Sequence, residues 1–227
     1  MVLVDRLSGV RSKTQNLGVK GIVTHLARRA LAFAPGGEAF RMFLVVLSEP
    51  RPSPESTRAA RDHTFRFATL DDLTALLADP GAEIAERDLV SFKDGNRCLL
   101  QYDGAALVGY SWVSNSQLIE LMWGMHFNLP DDMVYNYNGF TAPAYRGTAY
   151  QSLRHLKLLE LTRSEGKQRL LGYVDHLNYK SLRGVRKSGY QRVGVLRGIK
   201  RAGRIRFSLS IDEENWSTAI RAGPHHR

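Results

Sequence analysis

The sequence predicts an α/β protein with a mixed central sheet and helices on both of its faces. From about residue 63, strand-like and helix-like segments follow one another in the order β, α, α, β, β, β, α, β, α, β, β. Strands alternate with helices only in the second half, whereas the first half contains a hairpin. That mixture is typical of a sheet with both parallel and antiparallel pairs.

Composition divides the chain into three parts. Residues 1–62 are predicted to be a basic N-terminal extension and linker, with an added strand near 40–47. Residues 63–212 are predicted to form the main domain, and residues 213–227 a tail. Residues 21–34 place apolar side chains on one face of a short basic helix. Such a helix docks on the domain, on a partner or, as a peripheral contact, on an anionic membrane surface, and the sequence leaves these open.

The first half of the main domain carries clear boundary signals. Thr69 or Asp71 is suited to cap the first helix, and Gly95 to end the second. The Asp103–Gly104 pair between two apolar runs predicts a hairpin. The predicted elements are a strand at 64–70, helices at 69–79 and 82–95, and hairpin strands within 97–114.

The second half alternates strands and helices. Gly166 and Gly189 are suited to end its two helices. The predicted elements are a strand at 132–142, a helix at 150–166, a strand at 169–177, a helix at 178–189 and two strands within 190–210.

Charge and cysteine content limit the classes of function. The net charge is +10, and residues 180–206 hold ten Lys or Arg and no acid, a field that attracts anionic ligands or surfaces. No nucleic-acid-binding motif accompanies it, so no nucleic-acid partner is expected. A lone Cys98 permits no intrachain disulfide and no Cys/His metal spacing, so no metal is expected. This usage suits a reducing, cytoplasmic compartment.

The stretch "TAPAYRGTAYQSL", residues 141–153, links a predicted strand to a predicted helix. The unpaired N–H groups at a helix start, together with the helix dipole, suit a phosphate or pyrophosphate. Arg146 adds a charge-assisted donor, and Gly147, Thr148 and Ala149 carry little bulk. The stretch is therefore either a plain turn or the seat of an anionic ligand.

Two motifs in order resemble the GNAT superfamily of acyl-CoA N-acyltransferases. "APAYRGTAYQSL" is similar to the pyrophosphate loop of that family, and "YVDHLNYKSLRGVRKSGYQRVG" to its strand, asparagine, helix and glycine–aromatic ending. The resemblance covers about two-thirds of the chain and implies a GNAT-like fold, with acetyl-CoA or another acyl-CoA as cosubstrate. It also implies a small-molecule amine as acceptor and leaves a homodimer open.

The resemblance also implies roles for individual residues. The strand backbone at Phe140 and Thr141 would pair with the pantetheine arm, and Asn178 would line the gap between strands or cap a helix. Ser181, with Arg183 and Lys187, would lie near the ribose phosphate. The residues implied to cradle the pyrophosphate are Arg146, Gly147, Thr148, Ala149, Tyr150 and Gln151.

The sequence departs from the family at the usual catalytic positions. Val185 stands where many members place the tyrosine that protonates the thiolate, and Tyr137 where some place a glutamate base. The remaining candidates for proton transfer are Tyr137, Asp175, His126 and Glu120. An aromatic acceptor pocket would suit an amino sugar or nucleotide sugar of a surface polysaccharide pathway. The alternative is a non-catalytic GNAT-like module that binds acyl-CoA or an anionic surface.

Overall fold

The computed structural model describes residues 38–52, 63–120, 126–201, 204–211 and 221–223. The helices are α1 (Leu70–Leu77), α2 (Glu86–Lys93), α3 (Tyr150–Arg163) and α4 (Tyr179–Ser188). The strands are β1 (Glu38–Leu47), β2 (His63–Phe67), β3 (Arg97–Asp103), β4 (Ala106–Ser114), β5 (Leu118–Glu120), β6 (His126–Asn128), β7 (Met133–Thr141), β8 (Arg169–Asp175), β9 (Gln191–Arg201), β10 (Arg204–Ile211) and β11 (Arg221–Gly223). The amphipathic segment 21–34, most of the linker and most of the tail lie outside the described residues.

Eight strands form one sheet in the order β10-β9-β1-β8-β7-β4-β3-β2. All neighbouring pairs are antiparallel except β7 and β8, so the predicted mixed sheet is confirmed. The added strand expected near residues 40–47 is β1, and it lies inside the sheet between β8 and β9. It is therefore an internal strand and not an appendage at the edge.

Helices α3 and α4 cover one face of the sheet. Leu158 and Leu159 of α3 and Val185 of α4 pack against inward-facing residues such as Val134 and Leu170. Strand alternation explains the choice of side chains, because successive residues point to opposite faces. We call this the α3/α4 face.

Helices α1 and α2 cover part of the opposite face, so the prediction of helices on both faces is confirmed. Leu73 of α1 lies in one core cluster with Leu100 of β3 and Trp112 of β4. The rest of this face is covered by the small sheet β11-β6-β5, whose Ile119 and Phe127 pack near Tyr135.

Most predicted boundaries hold, with one clear correction. Thr69 is the N-cap of α1, and its side chain accepts a hydrogen bond from the N–H of Asp72. The second helix, predicted from residue 82, begins only at Glu86, after a short 3-10 turn at Pro80–Ala82. Asp88 explains the later start, because its carboxylate accepts the Ala85 N–H and fixes that residue as an extended N-cap.

The small strands β5, β6 and β11 were not predicted from the sequence. The first two lie in the stretch 117–132, which offered no alternating pattern long enough to indicate a strand.

Candidate active site

The sheet opens where its single parallel pair ends. Strands β7 and β8 pair only from Met133–Arg169 to Tyr135–Leu171, although β7 continues to Thr141 and β8 to Asp175. The far side of β8 stays paired with β1 as far as Asp175. The gap between the strands therefore leaves one edge of residues 136–141, about 20 Å of backbone, open to a ligand.

Backbone groups at the end of β7 are directed into this gap. Ala142 donates its N–H to Val108 of β4, and Phe140 pairs in register with Tyr110. Because successive residues of a strand direct their polar groups to opposite sides, the N–H of Thr141 points away from β4. The phenyl ring of Phe140 is buried against Tyr110, with ring centroids 5.1 Å apart. By the same alternation the N–H and C=O of Phe140 face β4, so its pairing with a pantetheine arm stays a prediction.

The loop after β7 leads directly to the start of α3. Gly147 has a φ of 85°, in the left-handed region that favours glycine, and open space surrounds its Cα. Ala149 is the N-cap of α3 and gives no side-chain capping bond. The hydroxyl of Thr148 donates to the Tyr145 carbonyl 2.7 Å away and accepts the Tyr150 N–H at 3.4 Å. The N–H groups of Gln151 and Ser152 have no side-chain acceptor among the described residues, which suits an anion site.

The Arg146 side chain folds back onto the protein. Its Nε donates to the Thr141 carbonyl at 2.9 Å, and its Nη2 lies 3.6 Å from the Glu83 carboxylate. The guanidinium expected to help hold an anion therefore also ties the end of β7 to the segment before α2.

Tyr150 anchors the loop from the other side. Its ring lies 4.4 Å from that of His63 on β2, centroid to centroid, and 5.8 Å from that of Tyr145.

Helices α3 and α4 meet through small residues beside the gap. A Cβ at Gly184 would lie 2.6 Å from the Gln151 Oε1, so the glycine makes room for this glutamine. Ser152 and Ser188 share a hydrogen bond of 2.8 Å. The glutamine that departs from the small residue of the resembled loop is thus accommodated by a glycine on the facing helix.

Asn178 is the N-cap of α4. Its Oδ1 accepts the N–H of Ser181 at 3.1 Å, which is the capping arrangement considered from the sequence. The cofactor roles of Asn178 and Ser181 stay predictions.

A β-bulge lies on β7 next to the gap. Tyr110 faces Phe140 and Trp112 faces Tyr137, so Ser111 alone opposes both Asn138 and Gly139. Asn138 takes the left-handed conformation, with φ 45°, and its Nδ2 donates to Asp88 at 3.2 Å. Asp88 is buried. Its sequence context is an ordinary helix start, which does not indicate that it lies at the site.

Tyr137 sits beside this bulge as a half-buried phenol. Burial raises its pKa to about 12, although a hydrogen bond with Ser91 opposes the shift. A phenol with that pKa is protonated at neutral pH, so it can donate a proton but cannot serve as a base there. Trp112, 6.3 Å away by ring centroids, is fully buried and leaves its Nε1 without a partner among the described residues.

The other three catalytic candidates lie on other strands. Asp175, at the end of β8, accepts the Leu177 N–H at 2.8 Å and lies 3.4 Å from the His176 Nδ1. Glu120 and His126 pair in register on the small sheet. Because Phe127 points into the core, its neighbour His126 faces away from it. The catalytic roles of these residues stay predictions.

Val185 and Tyr190 occupy the core beside the gap. Val185 is buried against α3 and has no proton to give. The Tyr190 hydroxyl accepts a hydrogen bond from Asn136 Nδ2 at 3.1 Å, on the α3/α4 face where the strands separate. Burial holds the pKa of Tyr190 above its ordinary value, so this hydroxyl also stays protonated.

A buried arginine side chain forms hydrogen bonds to three strands beside the site. Arg154 of α3 is fully buried and donates to Ser111 Oγ, Gln101 Oε1 and Thr141 Oγ1 at 3.0, 2.9 and 3.1 Å. Burial lowers its pKa to about 10, which leaves it charged at neutral pH. Gly109 makes the arrangement possible, since a Cβ there would lie 2.7 Å from the Arg154 Nη1.

Among the described residues, no cluster of three or more His, Cys, Asp or Glu could hold a metal. In the same part of the chain, no helix has the length and apolar character needed to cross a membrane.

Comparison with known proteins finds similar solved structures at low sequence identity. A GCN5-related N-acetyltransferase-like protein from Streptococcus suis matches with 11% identity and a TM-score of 0.49, over 82% of this chain and 67% of that one. The yncA protein of Salmonella typhimurium, solved with its cofactor acetyl-CoA, matches with 17% identity and a TM-score of 0.44, over 67% and 95%.

Another solved structure matches over only part of its length. A Drosophila protein matches with 15% identity and a TM-score of 0.45 over 70% of this chain, which spans only 49% of that protein. No family model and no curated protein matches. At these TM-scores the shared arrangement is partial, so the activities of the neighbours do not pass to this chain.

Proposed function

We propose that this protein is an acyl-CoA-dependent N-acetyltransferase that acts on a small-molecule amine. The observation that carries the proposal is the gap between β7 and β8 with the start of α3 at one end, where the N-cap Ala149 gives no side-chain bond. An extended arm bearing amides would pair with the open edge of β7 as an added strand. Its pyrophosphate would lie on the N–H groups at Gly147–Gln151. Acetyl-CoA has these two parts in that order.

The bulge would supply two of the groups that the chemical step needs. The amine nitrogen attacks the thioester carbonyl, the C–S bond breaks, the amine loses a proton and the thiolate gains one. A backbone N–H at the end of β7 would stabilise the oxyanion. Asp88 would fix this backbone through Asn138. The hydroxyl of Tyr137 would donate a proton, since its raised pKa keeps it protonated.

For the acceptor we propose an amino sugar or nucleotide sugar. Tyr137 and Tyr173 are both half-buried on the face opposite α3, and Tyr135 stacks between them at 5.1 and 6.1 Å. The apolar face of a sugar ring packs well on exposed aromatic edges. A screen of amines with acetyl-CoA, in which the free thiol of the released CoA is measured, would identify the acceptor.

The first experiment is calorimetric titration of acetyl-CoA into the wild type and two glycine variants. Gly147 and Gly166 have φ of 85° and 84°, and both lie in open space. A β-branched residue strains either position alike. Gly147→Val should weaken acetyl-CoA binding at least about tenfold because it displaces the phosphate-binding N–H groups. Gly166→Val, at the other end of α3, should bind as the wild type does. Equal affinities in all three proteins would contradict the proposal.

A second candidate is a binding module without turnover. It is favoured by Val185, which cannot protonate a thiolate, and by Tyr137, whose raised pKa keeps it from serving as a base at neutral pH. Acetyl-CoA binding with no thiol release for any amine would support the module over the enzyme.

A further inference from the structure

Part of the α3/α4 face is left uncovered by the helices. β1, β9 and β10 lie side by side at this end of the sheet, and Met42 and Leu44 of β1 point into the core on the other side. The intervening Arg41 and Phe43 therefore point to the uncovered side. The register of the three strands shows which residues of β9 and β10 lie beside Arg41 and Phe43.

Arginines dominate this surface. Arg41 faces Arg197, and Ile199 faces Arg206, in directly opposed positions on neighbouring strands. The guanidinium groups of Arg41 and Arg192 lie over the ring of Phe43, at 5.4 and 5.3 Å from its centroid. We call the surface formed by Arg41, Phe43, Arg192, Arg197, Ile199 and Arg206 the basic face.

Three arginines of the basic face are not neutralised by the part of the chain that the structure describes. Arg41, Arg197 and Arg206 are exposed and form no ion pair with a described residue. Asp175 pairs in register with Met42 and so belongs to the opposite side of the sheet. Like charges in directly opposed strand positions repel each other. A pair such as Arg41 and Arg197 therefore destabilises the free protein and becomes favourable only against an anionic partner.

We propose that the basic face binds the surface of an anionic lipid membrane. Ile199 lies among the arginines, and 55% of its surface is exposed. An exposed apolar side chain gains nothing from the phosphate backbone of a nucleic acid, whereas it can insert between lipid headgroups. Phe43 lies under two guanidinium groups and is not free to stack on a nucleobase. Lipid thus satisfies both the charges and the exposed apolar side chain.

The sequence before β1 strengthens the choice of lipid. Residues 1–37 contain six Lys or Arg and a single acid, so they add to the positive charge of the chain. Residues 21–34 carry apolar residues at helical spacing, and the chain enters β1 next to Ile199, which pairs with Ala39. A basic surface and a second apolar signal close to it in the chain form the combination that peripheral membrane binding needs.

The test is co-sedimentation of the full chain with vesicles of phosphatidylcholine, with and without phosphatidylglycerol. The wild type should bind only the anionic vesicles, and high salt should release it. Each basic residue near such a surface contributes about fivefold in partitioning. Arg41→Gln combined with Arg197→Gln should therefore bind about 25-fold less.

A matched control removes two exposed cations from the other side of the sheet. Arg87→Gln combined with Lys93→Gln on α2 lowers the net charge equally and should leave vesicle binding unchanged. The Arg41/Arg197 variant should still unfold cooperatively near the wild-type melting temperature, because it relieves a like-charge contact while it loses the contact of Arg41 with Phe43. Unchanged vesicle binding by that variant would overturn the proposal. So would wild-type binding to a short duplex RNA, lost with the same arginines, in the absence of vesicle binding.

Discussion

Replacing Gln101 by leucine should strongly destabilise the protein, although glutamine carries no charge. The Gln101 Oε1 accepts a hydrogen bond from the buried guanidinium of Arg154, and its Nε2 lies 3.0 Å from the His63 Nδ1. Leucine leaves a charged N–H without an acceptor in the core, at about 2–3 kcal/mol. Loss of the His63 contact adds about 1 kcal/mol. The free energy of unfolding should therefore fall by about 3–4 kcal/mol.

The measurement is urea unfolding of the variant beside a matched control and a double variant. Gln117 is exposed and bonds to Asp131, so Gln117→Leu should cost less than about 0.5 kcal/mol. Adding Arg154→Met to Gln101→Leu removes the orphaned charge and should recover at least about 1 kcal/mol of the loss. The reasoning fails if Gln101→Leu behaves like the control, or if the two core substitutions add without coupling.

Substitutions at three other residues test separate features. Burial beside Arg154 lowers the pKa of His155 to about 3, so the unfolded chain takes up a proton below pH 6.5 that the folded chain refuses. Wild-type stability should then fall by up to about 1.4 kcal/mol per pH unit between 6.5 and 3, and His155→Leu, followed by thermal melts, should remove that slope. Tyr137→Phe should lower kcat about 100-fold with acetyl-CoA affinity unchanged, and an unchanged kcat would exclude its proton. Asn178→Ala should cost about 1 kcal/mol in urea unfolding while Asn178→Ser keeps the cap, and equal losses would contradict a capping role.

The main elements were predictable because their signals are local. Asp103 and Gly104 specify a hairpin turn, and Thr69 caps a helix through the chain next to it. The loop at Gly147 was also found from sequence, since a strand, small residues and a helix in that order need no distant partner. These features depend on residues a few positions apart.

What the sequence did not reveal depends on distant contacts. Asp88 looks like a helix-starting acid until Asn138, 50 residues later, is brought against it by the bulge. Arg154 looks like a surface arginine until three neutral partners from three strands surround it. The separation of β7 and β8 likewise follows from how long two distant strands remain paired, which neither segment encodes alone.

The internal position of β1 has a consequence for how the chain must assemble. Among the described strands β9 pairs with β1 and β10 alone, so β9 and β10 reach the rest of the eight-stranded sheet through a strand that lies early in the sequence. A nascent chain must therefore hold residues 38–47 unpaired until β8 and β9 have been synthesised, and such distant pairing slows folding. A truncation that begins at residue 63 would not trim a tail. It would expose long unpaired edges on both β8 and β9, which are sites for aggregation.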